Sequence, residues 1–359
     1  MLLRKILVTP LRYVSTWRPS GASVSRYMSQ QQQVIPFMEP LHIIGGGSIG
    51  MLFAASIRAS FPSFPLSLLL RDHHKPNIDD NEIMICLMKH GKPRMIPVPA
   101  QLISDERPRP IRNLIVATKA YNASDAVRSI SARLDDKGAS IIILCNGAFA
   151  VRDELQAIIP PTTTLRLATT THGVYRESSY EGEMYHIVHA GEGSTFIEDE
   201  PAMSQLWDQS GLVSTSMSPD EMTGLLWQKL AVNCSINPLT ALRNCENGQL
   251  LSENLAKDTL PTIDDIVREV SMVAMKVCPS QDLQSSLSYG ALRFFVDQVC
   301  EDTFHNRSSM LQDVTKRQPT EIQYLNGYVS KLGKDLGIDT PANDELYRRI
   351  KDFEAEHTD

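Results

Sequence analysis

Long apolar runs are missing from this chain of 359 residues. No stretch reaches about 18 consecutive apolar residues, so we expect no transmembrane helix and no membrane partner. A composition of 42% hydrophobic and 21% charged residues is that of an ordinary globular protein. The length exceeds what one hydrophobic core usually supports, and the sequence therefore predicts two domains.

Excess positive charge is missing as well. A net charge of -7 offers no basic surface to nucleic acid, so we expect no nucleic-acid partner. The six cysteines contain no CxxC pair and no His/Cys spacing typical of a metal site. We therefore expect free thiols, no metal and a reducing compartment.

Acidic residues are absent from the first 38 positions, which carry several Ser and Thr and five basic residues: Arg4, Lys5, Arg12, Arg18 and Arg26. This composition is typical of a mitochondrial transit peptide, although a disordered basic tail on a cytoplasmic protein looks the same. We expect residues 1–38 to be a targeting segment and linker, and the mature protein to lie in the mitochondrial matrix, with the cytoplasm as the alternative.

A glycine-rich motif follows the first apolar strand, Leu41–Ile44, and opens a helical stretch. It comprises Gly45, Gly46, Gly47, Ser48, Ile49 and Gly50. GxGxxG between a strand and a helix is typical of dinucleotide binding, whereas glycine triplets in plain loops are not. The first glycine permits the tight turn, the second lets a pyrophosphate approach the backbone, and the third lets helix and strand pack closely.

Arg71 stands at the end of the next predicted strand, Leu66–Leu70. An acidic residue there would bind the ribose hydroxyls of NAD, whereas a guanidinium suits the 2′-phosphate of NADP. Asp72 follows directly and leaves NAD open, and a surface arginine is the plain alternative. NADPH is the cofactor that the sequence favours.

Polar residues follow two further buried strands. Lys119 and Asn122 come after Asn113–Thr118, and Asn146 comes after Ser140–Leu144. Ligands of doubly wound sheets bind at such strand ends, although polar residues in exposed loops are common. His172 ends a later strand and could be a base, but a structural histidine is the interpretation we favour.

Helical periodicity prevails after Asp220. In the stretch 225–250, Lys229, Asn233 and Asn237 fall at i, i+4 and i+8 and so share one helix face. Such a face can hold a small oxygen-rich molecule with the lysine placed to protonate it, or it can simply face solvent. Pro238 is expected to end or kink this helix.

Three more helices are predicted at Ile263–Val277, Leu283–Val299 and Ile322–Leu336. Glu321 precedes the last of them. It could favour the helix dipole or orient Lys229, and spacing does not decide between these roles.

Several motifs together resemble the ketopantoate reductase family, whose members are also called 2-dehydropantoate 2-reductases. They are LIVATKAYNASDAV (114–127), ILCNG (143–147), TTTHG (169–173), LWQKLAVNCSINPLTALRNCENG (226–248), NRSSMLQDV (306–314) and PTEIQYLNGY (319–328). With the glycine-rich start, the similarity spans residues 40–350. It implies an α/β fold with an N-terminal Rossmann-like doubly wound domain (39–219) and an all-α C-terminal domain (220–359) that resembles the C-terminal domain of 6-phosphogluconate dehydrogenase.

The resemblance also implies roles for matching positions. Lys229 would be the general acid that protonates the developing alkoxide, assisted by Glu321. Substrate would be held by Asn233, Asn237, Asn247, Ser309 and Asn146. NADPH would be held by Gly45, Gly46, Gly47, Ser48, Ile49, Gly50, Arg71, Lys119, Asn122, Asn146 and Glu321, with Asn122 standing where some members have glutamine.

The expected reaction is reduction of ketopantoate to (R)-pantoate with NADPH, a step toward pantothenate and coenzyme A. Two alternatives remain: a reductase of another branched 2-keto acid, and a sensor that binds NADPH without turnover. The chain is expected to work as a monomer or homodimer.

Overall fold

The computed structural model describes residues 39–105, 110–177, 184–252 and 259–357. These residues fall into two compact units. Of these described residues, the α/β unit comprises those within 39–145 and 152–217. The helical unit comprises Asn146–Val151 and the described residues from 218 onward. The expected targeting segment, residues 1–38, lies outside the described residues.

The α/β unit is built on one sheet whose middle is parallel. Its strands are β1 (Leu41–Ile44), β2 (Leu66–Leu70), β3 (Glu82–Lys89), β4 (Lys92–Leu102), β5 (Asn113–Val116), β6 (Ser140–Ile143), β7 (Thr164–Thr170), β8 (Gly173–Arg176), β9 (Met184–Gly191), β10 (Thr195–Glu198) and β11 (Ser214–Met217). They are ordered β11-β10-β7-β6-β5-β1-β2-β4-β3-β9-β8. β1 is central, since it pairs in parallel with β2 on one side and with β5 on the other.

The parallel strands are short and apolar because helices cover them on both faces. β1, β2 and β5 are buried along their whole length. Helix α1 (Ser48–Ser60) buries a continuous run of residues, and Phe53 meets Trp207 edge to face at 5.1 Å between ring centroids. Two further helices of this sheet region are α2 (Ala123–Ile130) and α3 (Ala148–Gln156), and α3 begins in the segment that groups with the helical unit; α4 (Pro201–Trp207) precedes β11.

The helical unit contains α5 (Pro219–Arg243), α6 (Ile263–Val277), α7 (Gln281–Leu287), α8 (Tyr289–Asp302), α9 (Ser309–Thr315), α10 (Asn326–Leu336) and α11 (Pro341–His357). The predicted order of a Rossmann-like α/β region and an all-α region is therefore confirmed. None of the helices in the described ranges combines the length and the apolar content needed to cross a bilayer.

Helix α5 is the longest described element of the helical unit, and both of its ends are capped. Ser218 accepts from the Glu221 N–H while the Glu221 side chain accepts from the Ser218 N–H, which forms a capping box. Asn244 ends the helix in the left-handed region with φ 48°. The helix continues past Pro238 to Arg243, so Pro238 does not end it, which was one of the two expected outcomes.

Two of the predicted helices have other bounds in the structure. The stretch 283–299 is divided at Ser288, whose hydroxyl caps α8 by accepting from the Ala291 N–H. The stretch 322–336 starts with a short 3-10 turn, Ile322–Tyr324, and α10 begins only at Asn326. The cap by Ser288 is a local contact of one polar side chain, which hydrophobic periodicity does not report, whereas α10 begins without a side-chain cap.

Candidate functional site

The glycine-rich loop connects β1 to α1. Gly45 has φ +134°, and a Cβ on it would lie 2.5 Å from the Ala117 carbonyl oxygen. A Cβ on Gly50 would lie 2.2 Å from the Gly45 carbonyl oxygen. These two positions need glycine for the packing of the loop itself.

Gly47 differs from its neighbours because no protein atom crowds it. An added Cβ would meet only the Ala117 carbonyl oxygen, at 4.0 Å. Gly47 is the N-cap of α1, and the first turn of this 13-residue helix carries no acidic residue. The first N–H groups of a helix lack partners within the helix and attract anions. Gly47, Ser48 and Ile49 thus fit a pyrophosphate that needs the space a side chain would fill.

Arg71 and Lys119 follow the strands on either side of β1. Arg71 comes directly after β2 and is exposed, and Lys119 lies three positions after the end of β5 and is half-buried. The adjacent carboxylate of Asp72 accepts from the Ser104 hydroxyl at 2.5 Å. Asn122 is half-buried and donates its N–H to the Lys119 carbonyl oxygen at 3.0 Å. The strand order β2-β1-β5 brings the glycine-rich loop, Arg71 and Lys119 to the carboxyl ends of three adjacent strands.

His74 is a neighbour of the loop that the sequence did not reveal. Its Nε2 would lie 2.8 Å from a Cβ on Gly46, and its Nδ1 lies 2.5 Å from the Tyr185 hydroxyl. Burial, and after it the charges of His73, Arg176 and Arg71, lowers the pKa of His74 from 6.5 to about 4. The ring is therefore neutral at physiological pH. The sequence feature that could have pointed to His74 is its position three residues after Arg71.

Helix α5 carries three of the predicted site residues in the helical unit. Lys229 and Asn233 are half-buried, and Asn237 is buried. The spacing of four places them on one face, as predicted. Trp227 packs against Phe149 with 5.4 Å between ring centroids, which holds the same part of α5 against the segment that carries Asn146.

Asn237 and Ser309 are brought together by the packing of α9 against α5. The Asn237 Nδ2 donates to the Ser309 hydroxyl at 3.4 Å. Next to this pair the Thr240 hydroxyl lies 2.7 Å from the Ser308 hydroxyl, which caps α9 by accepting from the Leu311 N–H. Ser309 itself is exposed, so its hydroxyl remains accessible to a small molecule.

Asn247 is fixed by the segment that leads to α9. Its Nδ2 donates to the Thr303 hydroxyl at 2.9 Å, and its N–H donates to the Asn306 carbonyl oxygen at 3.0 Å. Asn247 is 7% exposed, and its Oδ1 has no hydrogen-bond partner within the described structure. A buried acceptor without a partner costs about 1–3 kcal/mol, so a further hydrogen-bond donor at this oxygen would be favourable.

Asn146 and Glu321 form the second pair of predicted site residues. The Asn146 Nδ2 donates to Glu321 Oε2 at 2.9 Å, and Glu321 is 5% exposed. Gly147 adopts φ +62°, and a Cβ on it would lie 2.6 Å from the Tyr324 Cβ. Gly147 is thus fitted tightly against Tyr324.

His172 has a structural role. The Gly193 N–H donates to its Nδ1 at 2.9 Å, and its Nε2 donates to the Leu212 carbonyl oxygen at 2.9 Å. Burial lowers the pKa of His172, and the hydrogen bond to Leu212 opposes that change. Both ring nitrogens thus hydrogen-bond to the backbone, and Nδ1 also lies 3.0 Å from the His189 Nε2, which supports the structural interpretation favoured above.

A depression of about 730 Å³ lies elsewhere on the α/β unit, lined by residues such as Pro40, Pro65 and Pro99. These residues stand at or near the amino ends of β1 and β2 and the middle of β4, away from the glycine-rich loop. Dinucleotides bind at the carboxyl ends of parallel strands, so the depression is not the cofactor site.

Comparison with known proteins gives matches to two family models. The model for ketopantoate reductase PanE/ApbA matches residues 41–201, and the model for its C-terminal region matches residues 221–354. The 2-dehydropantoate 2-reductase of Salmonella typhimurium is 35% identical over 251 residues, which are 68% of this chain and 75% of the relative. That of Vibrio cholerae is 34% identical over 249 residues, which are 67% of this chain and 77% of the relative.

Solved structures share the fold. A D-mandelate dehydrogenase with NADH and anilino(oxo)acetate superposes with a TM-score of 0.72 at 21% identity, over 89% of this chain and 99% of that chain. A PanE/ApbA family ketopantoate reductase from Ralstonia eutropha gives 0.70 at 20% identity with the same coverage. A dimeric ketopantoate reductase from Staphylococcus aureus gives 0.63 at 18% identity, over 89% of this chain and all of that chain. With two family models that together match most of its length, this chain belongs to the ketopantoate reductase family.

Proposed function

We propose that this protein reduces 2-dehydropantoate to (R)-pantoate with NADPH, with Lys229 as the general acid. The observation that carries this function is the α5 face, where Lys229, Asn233 and Asn237 share one side and Asn237 reaches Ser309 at 3.4 Å. An ammonium group with amides and a hydroxyl offers donors for a carboxylate and a ketone oxygen. Membership of the ketopantoate reductase family supports the choice of substrate.

Lys229 acts on the ketone oxygen. The hydride for the ketone carbon comes from NADPH, and negative charge then grows on the oxygen. An ammonium group within hydrogen-bond reach stabilises that charge and supplies the proton. Lysine suits this task because its flexible stem carries three donors and no acceptor.

The amides and the hydroxyl hold the substrate around the lysine. Asn233, Asn237 and Ser309 donate to the carboxylate or accept from the substrate hydroxyl, and the Oδ1 of Asn247 accepts from that hydroxyl. Asn146 and Glu321 act together: the Asn146 amide fixes one carboxylate oxygen of Glu321, and the Glu321 carboxylate orients Lys229 or the cofactor.

The cofactor is held at the glycine-rich loop. The free space at Gly47 and the start of α1 fit the pyrophosphate. The set proposed to hold the rest of NADPH consists of Gly45, Gly46, Gly50, Arg71, Lys119 and Asn122, with Asn146 and Glu321. Arg71 would bind the 2′-phosphate.

The division of labour and the location of the protein are further parts of the proposal. Residues 39–219 would bind the cofactor, and residues 220–359 would bind substrate and carry the acid. Residues 1–38 would direct the protein to the mitochondrial matrix. We also propose that the working form is a monomer or a homodimer. Subcellular fractionation of cells that express the full chain with and without residues 1–38 tests the targeting, and analytical ultracentrifugation distinguishes the two forms.

A pair of keto acids tests the substrate. The purified full chain is assayed with NADPH and either ketopantoate or 2-ketoisovalerate, which lacks the hydroxymethyl group. A site that hydrogen-bonds the hydroxyl should prefer ketopantoate by at least about 100-fold in kcat/KM and yield (R)-pantoate. A preference for another keto acid would establish the alternative reductase. Binding of NADPH without turnover on any keto acid would establish the sensor.

A further inference from the structure

Pro238 leaves a backbone carbonyl of α5 without its helical donor. Proline has no N–H, so the carbonyl four residues earlier, that of Cys234, cannot receive the usual helical hydrogen bond. Both residues are buried, so water is a poor substitute. Asn233 directly precedes the affected carbonyl, and Asn237 directly precedes the proline.

Asn326 supplies the missing donor. Its Nδ2 donates to the Cys234 carbonyl oxygen at 3.0 Å across 92 residues of sequence. Asn326 is the first residue of α10 and is 0% exposed. The bond thus replaces a helical N–H by a side-chain N–H at the one point of α5 where the proline removes it.

The orientation of this amide is fixed by a chain of buried polar groups. The Asn326 Nδ2 also donates to the Asn343 Oδ1 at 3.0 Å, and the Asn343 Nδ2 donates to Glu269 Oε2 at 2.7 Å. Glu269 accepts in addition from the N–H groups of Ala342 and Asn343 at the start of α11. The chain therefore ties α5 to α6, α10 and α11.

The other end of the same amide has no partner. Within the described structure the Asn326 Oδ1 is buried without a hydrogen bond. An unsatisfied buried acceptor is costly, and an apolar side chain of similar size would avoid it. The two donors are what the asparagine contributes here.

We propose that Asn326 is a positioning residue for ketopantoate reduction, which rests on the function proposed above. Pro238 leaves the Cys234 carbonyl without a helical donor, and Asn326 supplies a hydrogen bond to it. This bond keeps Lys229 and Asn233, which precede Cys234, aligned with Asn237, which follows Cys234. Misplacement of reacting groups by about 1 Å can cost about 100-fold in rate. Asn326 touches neither substrate nor cofactor in this role and acts through α5.

A double-mutant cycle with Pro238 tests the role. In Pro238→Ala the new N–H at position 238 can bond the Cys234 carbonyl, which makes the donor from Asn326 redundant. We expect Asn326→Ala to lower kcat with ketopantoate by about 10–100-fold when Pro238 is present. When position 238 is alanine, the loss caused by Asn326→Ala should be smaller by a factor of at least about five. The dissociation constant for NADPH should stay within about twofold in all four proteins.

The midpoint of denaturant unfolding gives a second readout that does not depend on turnover. Asn326→Ala should lower the midpoint more in the wild-type background than in the Pro238→Ala background. Ser330→Ala, a matched change on α10, should show no dependence on the background. If Asn326→Ala does not fold, folding of the double variant would support the role, and failure of both to fold would overturn it, because packing alone would then explain Asn326.

The outcomes separate this role from the proposed function. Wild-type protein that oxidises NADPH with ketopantoate, together with equal losses from Asn326→Ala in both backgrounds, would overturn the role of Asn326 and leave the function intact. Wild-type protein that shows no turnover with ketopantoate would overturn the function, and with it the part of Asn326 in that reaction.

Discussion

The Asn146 side-chain amide donates a 2.9 Å hydrogen bond to Glu321 Oε2, although 175 residues separate the two in sequence. Glu321 is 5% exposed, so its carboxylate depends on protein donors. The bond joins two residues that the sequence nominated independently, one after a strand and one before a helix.

Asn146→Asp should convert this bond into repulsion between two carboxylates. Like charges at this distance disfavour joint ionisation, so one of the two groups takes up a proton more readily. We expect kcat with ketopantoate to fall by about 10–100-fold at pH 8 and to recover partly as the pH falls toward 5. A pH profile of kcat for wild type, Asn146→Asp and Asn146→Ala checks this, since alanine should show the loss without the recovery. A flat ratio of Asn146→Asp to wild type across this range would contradict the pairing.

Gly47→Ala should weaken NADPH binding without harming the fold. Gly47 has φ −85°, which alanine tolerates, and its Cβ would be 4.0 Å from the nearest protein atom. We expect the KM for NADPH to rise by at least about tenfold, or about 1.4 kcal/mol, with an unchanged thermal midpoint. Gly50→Ala is the contrast, because its Cβ would lie 2.2 Å from a backbone oxygen and should destabilise the protein by about 1–3 kcal/mol. Unaltered NADPH binding in Gly47→Ala would show that the pyrophosphate does not bind at this loop.

Arg71→Asp should change the preference between the two nicotinamide cofactors. Loss of the guanidinium removes charge-assisted hydrogen bonds to the 2′-phosphate, and the new carboxylate repels it. We expect the KM for NADPH to rise by about 10–100-fold and the KM for NADH to change by less than about threefold. Arg94→Asp on β4, also exposed, is the matched control and should affect neither. An equal rise in KM for both cofactors would show that Arg71 does not bind the 2′-phosphate.

Much of the α/β unit could be predicted because its signals are local. Leu41–Ile44 and Leu66–Leu70 are apolar runs with clear boundaries in the sequence, and the structure has strands with those bounds. The glycine motif between strand and helix likewise reports a backbone requirement, which the 2.5 Å and 2.2 Å approaches at Gly45 and Gly50 make explicit.

The remaining features depend on contacts between distant residues. Sequence spacing placed Lys229, Asn233 and Asn237 on one helix face, but it could not show that Asn146 reaches Glu321 or that Asn237 reaches Ser309. For the same reason the sequence could not decide whether α5 ends at Pro238, because the replacement donor comes from Asn326. His74 was missed because only the tertiary structure places its ring beside Gly46.

His74 should make the stability of the protein depend on pH. Its folded pKa is about 4 against 6.5 for the ordinary value, so the unfolded chain binds the proton more tightly. The stability that the neutral ring contributes is complete above pH 6.5 and is lost as the pH falls toward 4. Between pH 7 and pH 4.5 the loss is about 2 kcal/mol for this residue.

Urea unfolding at the two pH values measures the contribution of His74. The difference in unfolding free energy between pH 7 and pH 4.5 should shrink by about 2 kcal/mol in His74→Gln. If this difference in unfolding free energy is the same in wild type and in His74→Gln, the conclusion that His74 is buried as a neutral ring is wrong.

The most direct measurement is the loss of NADPH absorbance when ketopantoate is added to the full chain and to its Lys229→Ala variant. We expect saturable oxidation by wild type, a fall in kcat of about 10²–10⁴-fold in Lys229→Ala, and NADPH binding within about twofold of wild type. Lys276→Ala, an exposed lysine on α6, should keep full turnover. Near-normal turnover by Lys229→Ala would contradict the assignment of the general acid.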